Sequence, residues 1–422
     1  MSATCLAVVL CGALLAGSGP AHGEGRGASR TAPLAADSRP IAIDARIAGD
    51  DSETRFVMDL SRKTEVYAFT LADPYRAVID LPHVNFRLPS KAGERGHGLI
   101  TSFRYGLVMQ GGSRIVLDTT KPVRIEKVFV LDAVDGLPAR LVLDLAAVDR
   151  ETFMRMIALE GRAGKSRGLA RRSEIEPPNR NENDPRPVIV LDPGHGGIDT
   201  GTRAGSNVDE KTVVLEFARM LRDKIERAGK YRVVLTRTED VFVPLAERVR
   251  IARAHRAQLF ISIHCDALVR GEGEAQGATV YTLSETASDA EAARLAEAEN
   301  KADVIAGIDL SAEPGDVTDI LIDLAQRETK LFSIHFARAL VGELKLSARL
   351  HKQPMKSAGF RVLMAPDVPS VLIELGYVSS QHDLKQLTSG AWRSRAGDSI
   401  VHAIDAFFTT RLAGASPAGG RN

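Results

Sequence analysis

Four aliphatic residues, Val188-Ile189-Val190-Leu191, run straight into Asp192-Pro193-Gly194-His195-Gly196-Gly197. An apolar run of strand length has no polar face, so it needs cover on both sides, the condition of a central strand in a parallel sheet. The glycines behind it make a sharp turn at which backbone and ligand can approach closely. That turn lies at the strand's carboxyl end, where open α/β sheets bind ligands, and it places His195 in the crevice. The chain that follows agrees. Residues 208–228 carry Val213, Val214, Phe217, Leu221 and Ile225 at helical spacing and stop at Gly229. Further strands are predicted at 231–235, 259–264, 280–283 and 370–374, with a helix over 245–255. Strands alternating with helices predict an α/β domain, a mostly parallel sheet flanked by helices, over 188–412.

The preceding part of the chain has a different period. Between residues 40 and 150, short runs such as Arg55-Phe56-Val57-Met58-Asp59-Leu60 and Arg140-Leu141-Val142-Leu143-Asp144-Leu145 alternate apolar and polar side chains. Many such runs separated by Gly, Pro and Asp predict a small all-β sandwich domain. Two domains suit a chain of 422 residues. Residues 24–39, of Gly, Ala, Ser, Arg and Pro, and 151–187, rich in Arg, Glu, Asn and Pro, read as linkers, the second flexible, and 413–422 as a disordered tail.

Residues 1–23 hold a short apolar run, from Cys5 to Ala16, followed by small residues. This has the form of a secretory signal peptide, implying a periplasmic protein with no transmembrane segment in its mature chain. Of three cysteines, Cys5 and Cys11 fall in that leader and only Cys265 remains, so a disulfide scaffold is excluded. Lys and Arg number 55 against 54 Asp and Glu, a net charge of +1. A polycation that grips nucleic acid by charge alone is excluded too.

Four residues carry chemistry. His195 sits in the glycine turn, Glu210 at the start of the next helix, and His264 and Glu374 at the carboxyl ends of apolar strands. Singly, each has an ordinary explanation: a turn histidine, a helix cap, a core histidine, a buried ion pair. Together they lie on one rim of one sheet. Two His and one carboxylate make a catalytic zinc set with an open fourth position. A second Glu beside it supplies the general base and later the general acid. Hydrolysis of an amide or ester carbonyl follows. Asp266, two residues beyond His264, faces the same way and is an extra ligand or a supporting group. Cys265 between them turns away and is structural. Arg237 and Arg248 either meet substrate carboxylates or pair with acids.

The strings VIVLDPGHGGIDTG, Val234-Leu235-Thr236-Arg237, Ser262-Ile263-His264-Cys265-Asp266-Ala267 and Val371-Leu372-Ile373-Glu374-Leu375-Gly376, with Glu210 between the first two, resemble the zinc-dependent N-acetylmuramoyl-L-alanine amidases of bacterial cell-wall turnover. The resemblance implies one Zn2+ per chain on His195, Glu210 and His264, with Glu374 as the catalytic glutamate. It implies peptidoglycan as the substrate, cut between N-acetylmuramic acid and L-alanine. The N-terminal region resembles the AMIN domain, which implies binding to peptidoglycan at the division site. Residues 284–330, acidic and Ala-rich and then apolar at Val317, Ile320, Leu321 and Leu324, resemble the regulatory insertion of the division-associated subgroup. There a helix blocks the zinc until a LytM-domain activator displaces it, and Glu299 is the candidate blocking side chain. Two other readings remain: a non-catalytic peptidoglycan-binding adaptor of the division machinery, and a zinc peptidase or deacetylase on the same scaffold.

Overall fold

The structure, a computed structural model, describes residues 39–109, 111–168, 184–203, 208–267, 276–308 and 320–415. The predicted leader, nearly all of the first predicted linker and the last residues of the predicted tail lie outside them.

Nine strands come first: β1 (Ile41–Gly49), β2 (Glu53–Leu60), β3 (Tyr67–Leu71), β4 (Arg76–Pro82), β5 (Asn85–Phe86), β6 (Ile100–Val108), β7 (Gly112–Thr119), β8 (Val123–Leu131) and β9 (Ala139–Ala147). They form two sheets, ordered β5-β1-β2-β9-β8 and β3-β4-β7-β6. Alternate side chains such as Phe56, Met58, Ile79, Ile115, Leu117, Leu141 and Leu143 meet between the sheets in one core. Strands β4 and β7 depart from a half-buried pattern. Val78 and Val116 point the other way and are fully buried in a second core, shared with the C-terminal region.

Residues 150–168 form helix α1 (Arg150–Gly168) where composition predicts a flexible linker. The helix starts on Asp149, whose carboxylate accepts hydrogen bonds from the Thr152 amide and hydroxyl. Its Phe153 is buried edge-on against Tyr75, centroids 5.2 Å apart. One cap and one anchored aromatic outweigh a polar composition. Residues 169–183 of that predicted linker lie outside the described residues.

The C-terminal region runs β10 (Val188–Pro193), α2 (Glu210–Arg227), β11 (Arg232–Leu235), α3 (Leu245–Ala254), β12 (Leu259–His264), β13 (Ala278–Leu283), α4 (Ala290–Glu299), α5 (Ala302–Ile305), α6 (Ile320–Leu344), β14 (Leu350–Ala358), β15 (Ser370–Glu374), α7 (Gln381–Leu387) and α8 (Gly390–Ala415). The sheet order is β11-β10-β12-β15-β13-β14. All neighbours are parallel except β13 and β15. One face, with Ile189, Leu191, Ile261, Ile263, Val371 and Ile373, packs on α2, α6 and α8. The other face carries Val190, Phe260 and Leu372 and packs on α3, α4 and the outer face of the β-sandwich. Because side chains alternate, Asp192, Ser262, His264 and Glu374 fall on this second face, at the carboxyl ends of three neighbouring strands.

The predicted insertion does not end at 330. Helix α6 passes through that point to Leu344 and buries Phe336, Ala337, Leu340 and Leu344 in the main core. Val317 lies outside the described residues. Helix α8 likewise runs to Ala415, past the predicted domain end.

Candidate metal centre

The glycine turn is built from backbone conformations that few side chains adopt. His195 has φ 57°, followed by Gly196 at 124° and Gly197 at 55°. A non-glycine residue in the left-handed region is strained and must be held by its surroundings. Two arginines hold it. Arg248, buried, donates to the carbonyls of Pro193, His195 and Val243 and pairs with Asp192 at 2.7 Å. Arg237 donates to the carbonyls of Pro193, Gly194 and Lys211. Both arginines are thus spent on the scaffold: Arg248 pairs with an acid, one of the two roles open to it in the sequence, whereas Arg237 meets backbone carbonyls, which neither role describes. Asp192 also accepts from the Thr236 and Ser262 hydroxyls. Burial pushes its carboxyl up, but Arg248 and these hydroxyls hold it below its ordinary range.

The turn aims His195 at Glu210 and His264. His195 Nε2 lies 3.2 Å from Glu210 Oε2, and His264 Nδ1 lies 3.3 Å from Glu210 Oε1. The three ligand atoms are all within 4.8 Å of one another and buried, a group that could hold a metal ion. Both ring nitrogens lack a hydrogen-bond partner although buried. Buried polar atoms are rarely left so, and lone pairs converging on one point are what a cation completes. The donor set fits zinc: a tetrahedron with arms of about 2.0–2.1 Å has edges of about 3.3–3.4 Å.

Supporting groups fix each ligand. Asp199 Oδ2 lies 2.9 Å from His195 Nδ1 and orients the ring. Glu210 accepts from the amides of Thr202 and Cys265, at 3.0 and 2.9 Å. Its own helix is capped without it: the Asp209 carbonyl takes the first helical bonds. Burial disfavours the Glu210 charge, yet His195 and His264 hold its carboxyl well below the ordinary range. Burial likewise opposes a charged His195, and Asp199, Glu210 and Glu299 reverse that, raising it well above the ordinary value. Two glycines leave room. A Cβ on Gly194 would stand 2.3 Å from the His264 ring. One on Gly201 would stand 2.6 Å from His195 Cδ2 and 2.7 Å from Glu210 Oε2.

Glu374 is the register partner of His264 across β12 and β15. Its Oε2 accepts from the Asp266 amide at 2.9 Å, and its buried Oε1 has no hydrogen-bond partner. Burial, then Glu210, Asp266 and Glu299, push its carboxyl well above the usual range. Asp266 stands outside the three-ligand group. Its Oδ1 takes bonds from the Thr202 hydroxyl and the Ala267 amide. Cys265 is buried on the opposite side, in the main core.

Helix α4 closes the centre. Glu299, its last residue, places Oε2 3.3 Å from His264 Nδ1 and 3.7 Å from His195 Nε2. Four side chains thus converge on one point, and the cavity left there measures about 10 Å³, at most about one water. Asp289 caps α4 by accepting from Ala292 N, and Lys356 and Tyr377 bind Glu291 at 2.7 and 3.1 Å. Asp199 and Arg248 are the structurally decisive residues that sequence reasoning passed over or left open. The signal for Asp199 lay in its spacing of four from His195 across a glycine turn.

An α/β sheet with two His and one Glu converging at its carboxyl rim makes a three-residue group that could hold a metal ion. The chain belongs to the N-acetylmuramoyl-L-alanine amidase family, whose pattern it matches over residues 189–406, and it carries an AMIN domain over 42–148. It is 32% identical over 384 residues to the N-acetylmuramoyl-L-alanine amidase AmiC of Escherichia coli O6:H1, covering 89% of this chain and 91% of that one. It is 35% identical over 386 residues to AmiC of Neisseria meningitidis serogroup B, covering 88% and 91%. With AmiA of Escherichia coli K12 it shares 36% identity over 232 residues, 55% of this chain and 79% of that one.

Proposed function

We propose that this chain is a zinc-dependent amidase that cuts the bond between N-acetylmuramic acid and L-alanine in peptidoglycan. It is exported to the periplasm, acts in wall remodelling and daughter-cell separation, and is held inactive by its own helix α4. One observation carries this reading: the convergence of His195 Nε2, Glu210, His264 Nδ1 and Glu299 Oε2 on one buried point.

His195, Glu210 and His264 hold the metal. Zinc, when bound, supplies a Lewis acid for the amide carbonyl and a water acidic near neutral pH. Glu374 takes a proton from the attacking water on its unpartnered Oε1 and returns it to the departing L-alanine nitrogen. The Asp266 amide on Oε2 fixes which oxygen does so. Burial raises the affinity of Glu374 for a proton, the direction that suits a group which takes one up and returns it. With the metal bound, Glu299 would take the remaining position beside His195 and His264, so substrate waits on displacement of α4, the step assigned to a LytM-domain activator.

The test is product mass spectrometry on purified peptidoglycan with zinc-loaded wild type, Glu299→Ala and Glu299→Ala/Glu374→Gln. Deleting 284–330 is avoided, because it would cut α6. The expected result is stem peptides with a free L-alanine amine, abundant from Glu299→Ala and reduced at least ~100-fold by the added Glu374→Gln. Cleavage within the stem peptide, or release of acetate, would assign another hydrolase. No release from any zinc-loaded protein would favour a binding protein.

A further inference from the structure

The segment that carries Glu299 is held from two sides, and the second side is the β-sandwich. Helix α5 begins three residues after Glu299, and its last turn, closed by Gly307 N on the Val304 carbonyl, leads into the carbonyls of residues 304–307. Arginines from three adjacent strands of one sheet reach them. Arg76 Nη1, on β4, donates to the Val304 carbonyl at 2.5 Å, and Arg104 Nε, on β6, to that of Ile305 at 2.5 Å. Arg114 Nη1, on β7, donates to the carbonyls of Ala306 and Gly307 at 3.1 and 3.0 Å. Cations are favoured where helix carbonyls gather, and a planar guanidinium serves several acceptors at once. The arginines are themselves aimed: Asp80 holds Arg114 by two bonds and Asp118 holds Arg104.

Apolar contacts complete the surface. Val78 and Val116, fully buried on the sandwich's outer face, share a core with Ala302 and Ala306. Gly307 turns the chain at φ 67°, and a Cβ there would stand 3.0 Å from Val116 and 3.1 Å from Val78. The sandwich is fastened to the catalytic region as well. Phe242 N donates to the Leu107 carbonyl, and Met109 N to that of Phe242. The sheet is therefore anchored independently of the segment it grips.

We infer that the outer face of the N-terminal sandwich is a latch: Arg76, Arg104 and Arg114 grip the carbonyls of residues 304–307 and so keep Glu299 on the metal centre. This rests on the reading of α4 as an occluding helix. It makes the sandwich a second control on the catalytic site, alongside its wall-binding role. Displacing the sandwich favours the open state even before α4 is pulled from its own groove.

The test uses the full-length zinc-loaded chain with Arg104→Gln/Arg114→Gln, which spares the more deeply buried Arg76. Hydrogen–deuterium exchange is followed at amides 299–308 and, as a fold control, in β9. Release of dye from labelled peptidoglycan is measured in parallel. With about tenfold for each charge-assisted bond, exchange at 299–308 should rise at least ~10-fold with β9 unchanged, and dye release should rise with it. Unchanged exchange at 299–308 with β9 protected overturns the latch. Should β9 lose protection, Gly307→Ala perturbs the same contact from the other partner, and the same comparison decides. Glu299→Ala separates the two ideas. If it raises dye release while the arginine variant alters nothing, the occluding helix stands and the latch falls. If Glu299→Ala leaves release at the wild-type level, the occlusion reading fails, and the exchange result still decides the latch.

Discussion

Asp199→Asn tests the centre at the point where geometry and protonation meet. Asp199 is 2% exposed, with Oδ2 2.9 Å from His195 Nδ1 and Oδ1 accepting from the Gly201 amide at 3.1 Å. In the neutral ring that a metal requires, the carboxylate favours the proton on Nδ1, which leaves the Nε2 lone pair directed at Glu210 and His264. An asparagine has the same shape but breaks this in one of two ways. Its NH2 group facing Nδ1 would force the proton onto Nε2 and close the ligand position. Its carbonyl facing Nδ1 would keep the tautomer but remove the negative charge that makes the ring a stronger donor. Loss of such an outer partner lowers metal affinity ~10–100-fold, about 1.4–2.8 kcal/mol. The assay is competition for zinc against a fluorescent chelator near neutral pH. The gain in melting temperature on zinc addition is read alongside, so that any change in the metal-free fold cancels. A zinc Kd within about twofold of wild type would refute the argument that Asp199 sets the His195 tautomer.

Gly201→Ala should leave the metal-free fold cooperative but weaken zinc binding at least ~10-fold, because the methyl would sit 2.6 Å from His195 Cδ2 and push a ligand off its point; chelator competition reads it, and unchanged affinity would contradict the close fit. The carboxylates around the centre also predict a pH dependence. Burial, then Glu210 and Glu299, push Asp266 up to about 6 in the metal-free fold, against about 3.9 unfolded. The folded state then holds the proton more tightly, so metal-free stability should rise as pH falls from about 6 towards 4. Melting curves of wild type and Asp266→Asn check this: the variant should lose part of that slope, and identical slopes would exclude Asp266 as its source.

The rim of the sheet was legible because its strands are. The runs 259–264 and 370–374 are apolar at every position but a serine and the last residue. A charged or polar residue ending such a run must be paired or functional. That reasoning puts His264 and Glu374 on one rim of one sheet; that they are direct register partners is visible only in the structure. Linker composition was less informative. Residues 151–168 look solvated, yet a single cap at Asp149 and one buried Phe153 are enough to start α1. Local contacts of that kind leave no period to read. Arg237 and Arg248 were ambiguous for a related reason. An arginine that binds a ligand and one that binds three backbone carbonyls look alike in sequence, and only the burial of Arg248 separates them.

The contact between the sandwich and residues 302–307 has a trace in the sequence, though in a weak code. A half-buried strand shows polar residues at every second position. Strands β4 and β7 break that rule at Val78 and Val116, each two places from an aspartate on the same outward row, Asp80 and Asp118. Apolar residues among charges on an outer face mean that something covers it. The sequence names no cover, because the partner carbonyls of residues 304–307 belong to backbone and have no residue signature. The same limit applies to Glu299. Its acidic, Ala-rich surroundings suit a solvated helix as well as an occluding one. Helix α4 buries Ala292, Leu295 and Ala296 against this face, which brings its last carboxylate beside His195 and His264.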